Sequence, residues 1–294
     1  MKKLFLVFSL SIFLPTLSLF SQTKPTYVIY DKAEKVLTYQ EMVMAVSNAD
    51  IVLFGETHNN PVIHWLQFQL TKDLHKTKNG NLILGGEFFE TDVQLVVNEF
   101  LGGLIRENSF EKESRIWDNY TTDYKPLLTF AKQNKIPFWA TNIPRRYAAA
   151  VSANGTEVLT KTDTVVKREY FPPLPIPIDY DLPSYKNMLS MMGSGGVMHT
   201  NANNFVAAQA IKDATMAFKI QQNFKQGHLF LHINGAYHSD FYEGIVWYLK
   251  KYAPTLKIIT ITTAEQDDLN EVEDKHSNKA DFIICVPNDM TKTY

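Results

Sequence analysis

Carboxylates, imidazoles, an amide and a guanidinium fall directly behind apolar runs of strand length. Glu56 and His58 follow the run at 51–54, and Glu87 and Glu90 follow 82–84. Asn142 and Arg145 follow 138–140, and His238 follows 229–233. Neutral imidazoles and carboxylates ligate zinc, manganese or iron, and a carboxylate left over activates a bound water. Glu56, His58, Glu87 and His238 make the simplest set of that kind. The same four would be the catalytic residues of a metal-dependent hydrolase. No compact H-E-x-x-H motif is present, so the set leaves the identity of a divalent metal ion open.

The same crevice also suits an organic cofactor. Haem asks for an aromatic-rich wall, a cation for its propionates and an axial His, Tyr or Met. His58, Asn142 and Arg145 would serve it from the strand ends. His64 lies six residues after His58 on the helix leaving that turn, and His199 follows the glycine run at 193–196. Glu90 reads as a capping or solvated residue, and Arg146 beside Arg145 as a solvated helix face. Phe205, Gln209, Asp213, Met216 and Ile220 share one helical stripe, which places Gln209 and Asp213 on a mostly apolar face. Buried there, both need polar partners, and the strand-end cluster would supply them.

The elements that must position these groups alternate between short apolar runs and helical periods. Thr38 and Glu41 have capping-box spacing, and the helix they open is buried through Met42, Val43, Ala45 and Val46. Helical periods are expected near 61–74, 93–104, 124–135, 145–152, 185–192, 204–224 and 240–252. Strands are expected at 27–30, 51–54, 82–84, 137–140, 228–233, 256–262 and 281–286. Continuous apolar strands separated by helices predict an α/β fold with a mostly parallel sheet flanked by helices. Such sheets bind ligands beyond the carboxyl ends of their strands, where this cluster falls. Prolines 172, 173, 175, 177 and 183 break the pattern. Residues 154–226 therefore read as a connector plus a helical insertion (a lid) in the second half of a single domain, 22–294.

The 294 residues carry 29 basic and 31 acidic side chains, so the chain offers no polyanion-binding face and nucleic acid is not its partner. One cysteine, Cys285, excludes an intramolecular disulfide and a thiolate metal cage. Lys2 and Lys3, an apolar run at 4–14, Pro15 and Ser21 have the layout of a secretory signal peptide at 1–21. No cysteine near that point is available for a lipid anchor. The expected location is exported, periplasmic and unanchored.

Taken together, I-V-L-F-G-E-T-H-N-N-P (51–61), L-G-G-E-F-F-E (84–90), A-T-N-I-P-R-R-Y (140–147), F-V-A-A-Q-A-I-K-D-A-T-M-A (205–217) and H-I-N-G-A-Y-H (232–238) resemble the ChaN-like haem-binding family of exported bacterial proteins. The resemblance covers about 35–262. It implies haem binding in haem and iron acquisition, haem held at the interface of a homodimer, and an outer-membrane haem or iron receptor as partner. It also implies an axial tyrosine, for which Tyr147 and Tyr237 are the candidates. Characterised members are lipoproteins, and this chain departs from them in lacking the cysteine. The family is similar in fold to the Tiki proteases and erythromycin esterases, where the equivalent Glu and His of the G-E-x-H turn are linked to hydrolysis. The leading expectation is an exported haem-binding protein, and the alternative is a metal-dependent hydrolase.

Overall fold

Thr38 and Glu41 form the capping box that their spacing predicts. The Thr38 hydroxyl accepts from the Glu41 amide at 3.2 Å, and the Glu41 carboxylate accepts from the Thr38 amide at 2.7 Å. The structure, a computed structural model, describes residues 24–193 and 202–294. The expected signal peptide, His199 and the glycine run beyond Gly193 lie outside the described residues.

The chain opens with β1 (Val28–Asp31), β2 (Val36–Leu37), α1 (Tyr39–Val46) and β3 (Ile51–Glu56), followed by α2 (Pro61–Thr77) and β4 (Leu82–Glu90). Three helices lead to the next strand: α3 (Gln94–Leu101), α4 (Glu107–Glu113) and α5 (Lys125–Asn134), then β5 (Phe138–Asn142). The long crossover holds α6 (Arg145–Asn154), α7 (Thr164–Tyr170), α8 (Pro183–Gly193) and α9 (Ala202–Asn223). The chain closes with β6 (Leu229–Gly235), α10 (Ile245–Tyr252), β7 (Ile258–Gln266) and β8 (Phe282–Pro287).

These strands form one eight-stranded sheet in the order β2-β1-β8-β7-β3-β6-β4-β5. The β1–β2 and β1–β8 pairs are antiparallel, and all other pairs are parallel, as continuous apolar strands require. The period-two alternation divides β3 between two cores. Val52 and Phe54 pack with α1, α2 and α5, whereas Ile51 and Leu53 pack with α6, α9 and α10. The free edge of β5 is covered by one side chain. Gln94 accepts from the Ala140 amide at 2.6 Å and donates to the Phe138 carbonyl at 3.0 Å, as a neighbouring strand would.

After β3 and β4 the chain crosses on the α1–α5 side, and after β5 and β6 it crosses on the α6–α10 side. Because β6 lies between β3 and β4, the connections diverge at their carboxyl ends and leave a crevice there. Two elements differ from expectation in ways that shape this crevice. Strand β4 runs to Glu90, and its pairing with β5 shifts register between Gly86 and Glu90, which re-aims Glu87 within the bulge. The helix expected at 93–104 starts as a 3₁₀ turn and stops at Leu101, where Gly103 takes a positive φ of 76°. A π-helical turn, Tyr120–Tyr124, precedes α5 and delivers Tyr124 to Glu56 and Asp123 to His64 in the interior behind the crevice.

Candidate functional site

Glu56, the last residue of β3, is buried at the centre of one network. Its Oε1 accepts from His58 Nδ1 at 2.8 Å and from the Tyr124 hydroxyl at 2.5 Å. Its Oε2 accepts from Gln67 Nε2 at 2.5 Å and faces His64 Nδ1 at 3.6 Å. Behind it, His64 Nε2 lies 3.2 Å from Asp123, which also accepts from Asn119 and Thr293. Burial alone would raise the Glu56 carboxyl, but the His58 bond and the neighbouring imidazoles hold it below the usual range. That same bond raises His58. The His58 side chain is 43% exposed, and its far nitrogen, Nε2, lies over Gly235 with no hydrogen-bond partner among the described residues.

Glu87 and His238 form the second network. Glu87 Oε2 accepts from the Gly235 amide at 2.8 Å, and its Oε1 lies 3.1 Å from His238 Nε2. His238 Nδ1 meets Asp213 at 2.5 Å and Gln209 at 3.0 Å, and Asp213 accepts in turn from the Tyr185 hydroxyl at 2.8 Å. Burial would discharge His238, yet Glu87 and Asp213 on either side outweigh it and push the imidazolium up to about 10. Burial likewise opposes the Glu87 charge, but His238 and the Gly235 amide pull it down to about 2. Asp213 is raised, because its own burial exceeds what His238 returns. The two networks meet at Gly235. A Cβ there would sit 2.9 Å from His58 Nε2 and 3.5 Å from Glu87 Oε2.

Beside them opens a groove of about 760 Å³, lined by Glu87, Trp117, Asn142, Arg145, Lys212 and Tyr294 among others. Trp117 packs edge-on against His58 with ring centres 5.6 Å apart, which ties the groove to the Glu56 network. The cations at its rim divide by partner. Arg115 pairs with Glu90 and Asp92, and Arg146 with Asp92, whereas Arg145 and Lys212 have no ion-pair partner among the described residues. The Asn142 amide oxygen is buried without a hydrogen-bond partner.

The strand-end residues are thus brought together, with Gln209 and Asp213 joining them from α9 as their place on an apolar stripe predicts. The four residues of the expected metal set converge with them, but paired to one another and to Asp213 rather than open as ligands. Among the described residues no group of three or more His, Cys, Asp or Glu is disposed to hold a metal ion. The physical reason is that Glu56 and Glu87 spend their charge on imidazoles, while His238 is bonded at both ring nitrogens and keeps no lone pair for a metal. His64 lies in the core behind Glu56. Tyr147 packs against Phe171 and under Arg146, and Tyr237 donates to the Ser184 carbonyl at 2.7 Å. Neither tyrosine lines the groove.

Sequence reasoning missed Gln67, Trp117, Asp123, Tyr124 and Lys212. A signal for Gln67 existed. His64, Gln67 and Thr71 sit with Ile63, Leu66 and Leu70 on the buried face of α2, the same polar interruption that marks Gln209 and Asp213. Replacing Glu56 with glutamine tests the first network. The His58 pKa is expected to fall back towards the ordinary 6.5 or lower, followed by NMR of the imidazole ring. An unchanged His58 titration would mean that Glu56 does not hold it.

Comparison with known proteins follows the same lines. The family described as haem-binding uptake, Tiki superfamily, ChaN matches residues 42–249, a span that includes Glu56, His58, Glu87, Asp213 and His238. The structure described as cofacial heme binding to ChaN of Campylobacter jejuni is similar with a TM-score of 0.66 and 16% identity, over 88% of this chain and 96% of that one. An erythromycin esterase, EreC, in its open conformation is similar with a TM-score of 0.50 and 11% identity, over 91% of this chain and 99% of that one. At such identities the likeness is one of fold. No curated protein matches the chain.

Proposed function

The chain belongs to the ChaN family of haem-binding uptake proteins, and on that premise we propose that it binds haem in the groove beyond the carboxyl ends of β4 and β5. One observation carries the reading. His58 is fixed by Glu56 through Nδ1 and packs edge-on against Trp117, a wall of the groove, with its Nε2 left without a hydrogen-bond partner among the described residues. A carboxylate behind a ligating histidine sets its tautomer and strengthens it as a donor.

The other residues present fit an iron porphyrin. Trp117, Ile116 and Ile143 give the groove apolar wall, and its volume lies in the range of cofactor sites. Arg145 and Lys212, cations without ion-pair partners among the described residues, suit propionates, and Asn142 has a buried oxygen that a ligand donor would satisfy. His58 would hold the iron, Arg145 and Lys212 would orient the carboxylates, and Trp117 would exclude water from one edge. Haem itself supplies the redox-active iron that an uptake protein carries as cargo.

Haemin titration of the chain from residue 22 onward, followed by absorbance, is expected to give a stoichiometric Soret band. The double variant Arg145→Ala, Lys212→Ala is expected to lose at least tenfold in affinity, the loss shrinking at high salt as screening of exposed charges requires. Absence of a Soret band at stoichiometric haemin would end the proposal. Export through residues 1–21, a homodimer in the haem-loaded state and delivery to an outer-membrane haem or iron receptor complete the reading.

A second reading, hydrolysis by Glu56, His58, Glu87 and His238, is favoured by one observation: an imidazole backed by a buried carboxylate and open at Nε2 is also a general base. A panel of ester and peptide substrates tests it. Turnover that Glu56→Ala abolishes would establish hydrolysis, and turnover unchanged in that variant would dismiss it.

A further inference from the structure

Residues 292–294 lie across the site although the family match ends at residue 249. Chain segments beyond the last strand fray unless something ties them down. Here three contacts do. The Thr293 amide donates to the Asn59 carbonyl at 3.0 Å, within the turn that carries His58. The Thr293 hydroxyl donates to Asp123 at 3.0 Å, one step from His64 and two from Glu56. Lys292 pairs with Glu265, whose carboxylate also accepts from Asn60 at 2.9 Å.

Held this way, Tyr294 is placed at the groove, where it lines the cavity with Trp117, Arg145 and Lys212. Its side chain gains little from the protein, since it is 67% exposed and packs in none of the hydrophobic cores. An ordered aromatic that buries so little apolar surface is stabilised by folding far less than one in a core. It has surface to give to a ligand.

We infer that Tyr294, positioned by Thr293, is a ligand-contact residue of the groove, meeting a flat, anionic conjugated ligand through its ring. The inference deepens the haem reading and rests on it for the ligand's chemistry. The C-terminal strap is then a specificity-determining wall contributed from outside the family-matched part of the chain.

The test uses the chain from residue 22 and three probes read by quenching of tryptophan fluorescence: haemin, iron-free protoporphyrin IX and 8-anilinonaphthalene-1-sulfonate. Tyr294→Ala is expected to weaken haemin and protoporphyrin by fivefold or more, and Tyr294→Phe to stay within twofold of the parent. Thr293→Ala, which removes one of the three ties of the strap while keeping the ring, is expected to lie between them. Unchanged porphyrin affinity in Tyr294→Ala would overturn the inference while leaving the haem reading intact. So would a Tyr294→Phe loss confined to haemin, because the phenol rather than the ring would then be the contact. If the parent takes up the sulfonate dye but neither porphyrin, the haem reading falls. The strap is then judged by the dye: fivefold weakening in Tyr294→Ala supports it and parity overturns it. A parent that takes up none of the three probes overturns both.

Discussion

Replacing Gly244 with alanine is expected to destabilise the protein by roughly 2–4 kcal/mol, through backbone strain and a steric clash at one point. Gly244 has φ 51° and ψ −118°, a conformation essentially confined to glycine. A Cβ there would also run into the carbonyl oxygen of His238 and lie 3.3 Å from the Asp213 side chain. The neighbouring Phe241 and Tyr242 already hold positive φ values of 58° and 61°, so the turn has little freedom left to absorb the change. Gly227 is the control. It too has a positive φ, 84°, but a Cβ there meets nothing within 4 Å, so its alanine variant is expected to cost about 1 kcal/mol. Urea unfolding of both variants measures the difference. If Gly244→Ala is no worse than Gly227→Ala, the tight packing of the 240–244 turn beneath His238 is not what fixes it.

The largest pH effect is expected from Glu87 and His238. Glu87 titrates near 2 in the fold against an ordinary 4.5, so its contribution is present above 4.5 and is lost as pH falls towards 2. His238 titrates near 10 against 6.5, so its contribution is present below 6.5 and is lost as pH rises towards 10. The two describe one ion pair from either side and are not to be added. Stability from the pair should therefore be flat between about pH 4.5 and 6.5 and decline on both flanks, by an amount on the order of several kcal/mol at either extreme. In Glu87→Gln the acid flank owed to Glu87 disappears, and the alkaline flank shrinks because His238 keeps only Asp213 as a charged partner. Urea unfolding at pH 3, 5.5 and 9 on both proteins gives the curves. A parent curve that rises steadily from pH 5.5 to 9 would show that His238 is not held as an imidazolium.

How far the sequence reaches can be seen residue by residue. The helix opened by Thr38 and the strands at 51–54 and 82–84 follow from local rules, because a capping box and a continuous apolar run have few other uses. Convergence of Glu56, Glu87 and His238 follows from topology alone, since parallel strands bring their carboxyl ends to one edge. Asp213 was legible as a charge on an apolar stripe, and Gln67 would have been by the same argument applied to α2. What sequence could not supply was partner choice. The choice of Asp213 and Glu87 as joint partners of His238, leaving no metal set among the described residues, depends on the register shift after Gly86 and on the approach of α9. Trp117, Lys212 and Tyr294 are likewise invisible locally. They join the groove from a loop, a helix flank and the C-terminal strap, none of which follows a strand end.

On the proposed reading His58 presents an open nitrogen to haem, while His64, six residues on, is buried against Asp123. The most direct test of that reading is the ferric absorption spectrum of the haemin complex in the single variants His58→Ala and His64→Ala. His58→Ala is expected to shift the Soret band and weaken haemin at least tenfold. His64→Ala is expected to lower stability, since it strips a partner from Asp123 in the core, while leaving the band of the bound complex in place. A His58→Ala complex with the parent's spectrum and affinity would contradict the account.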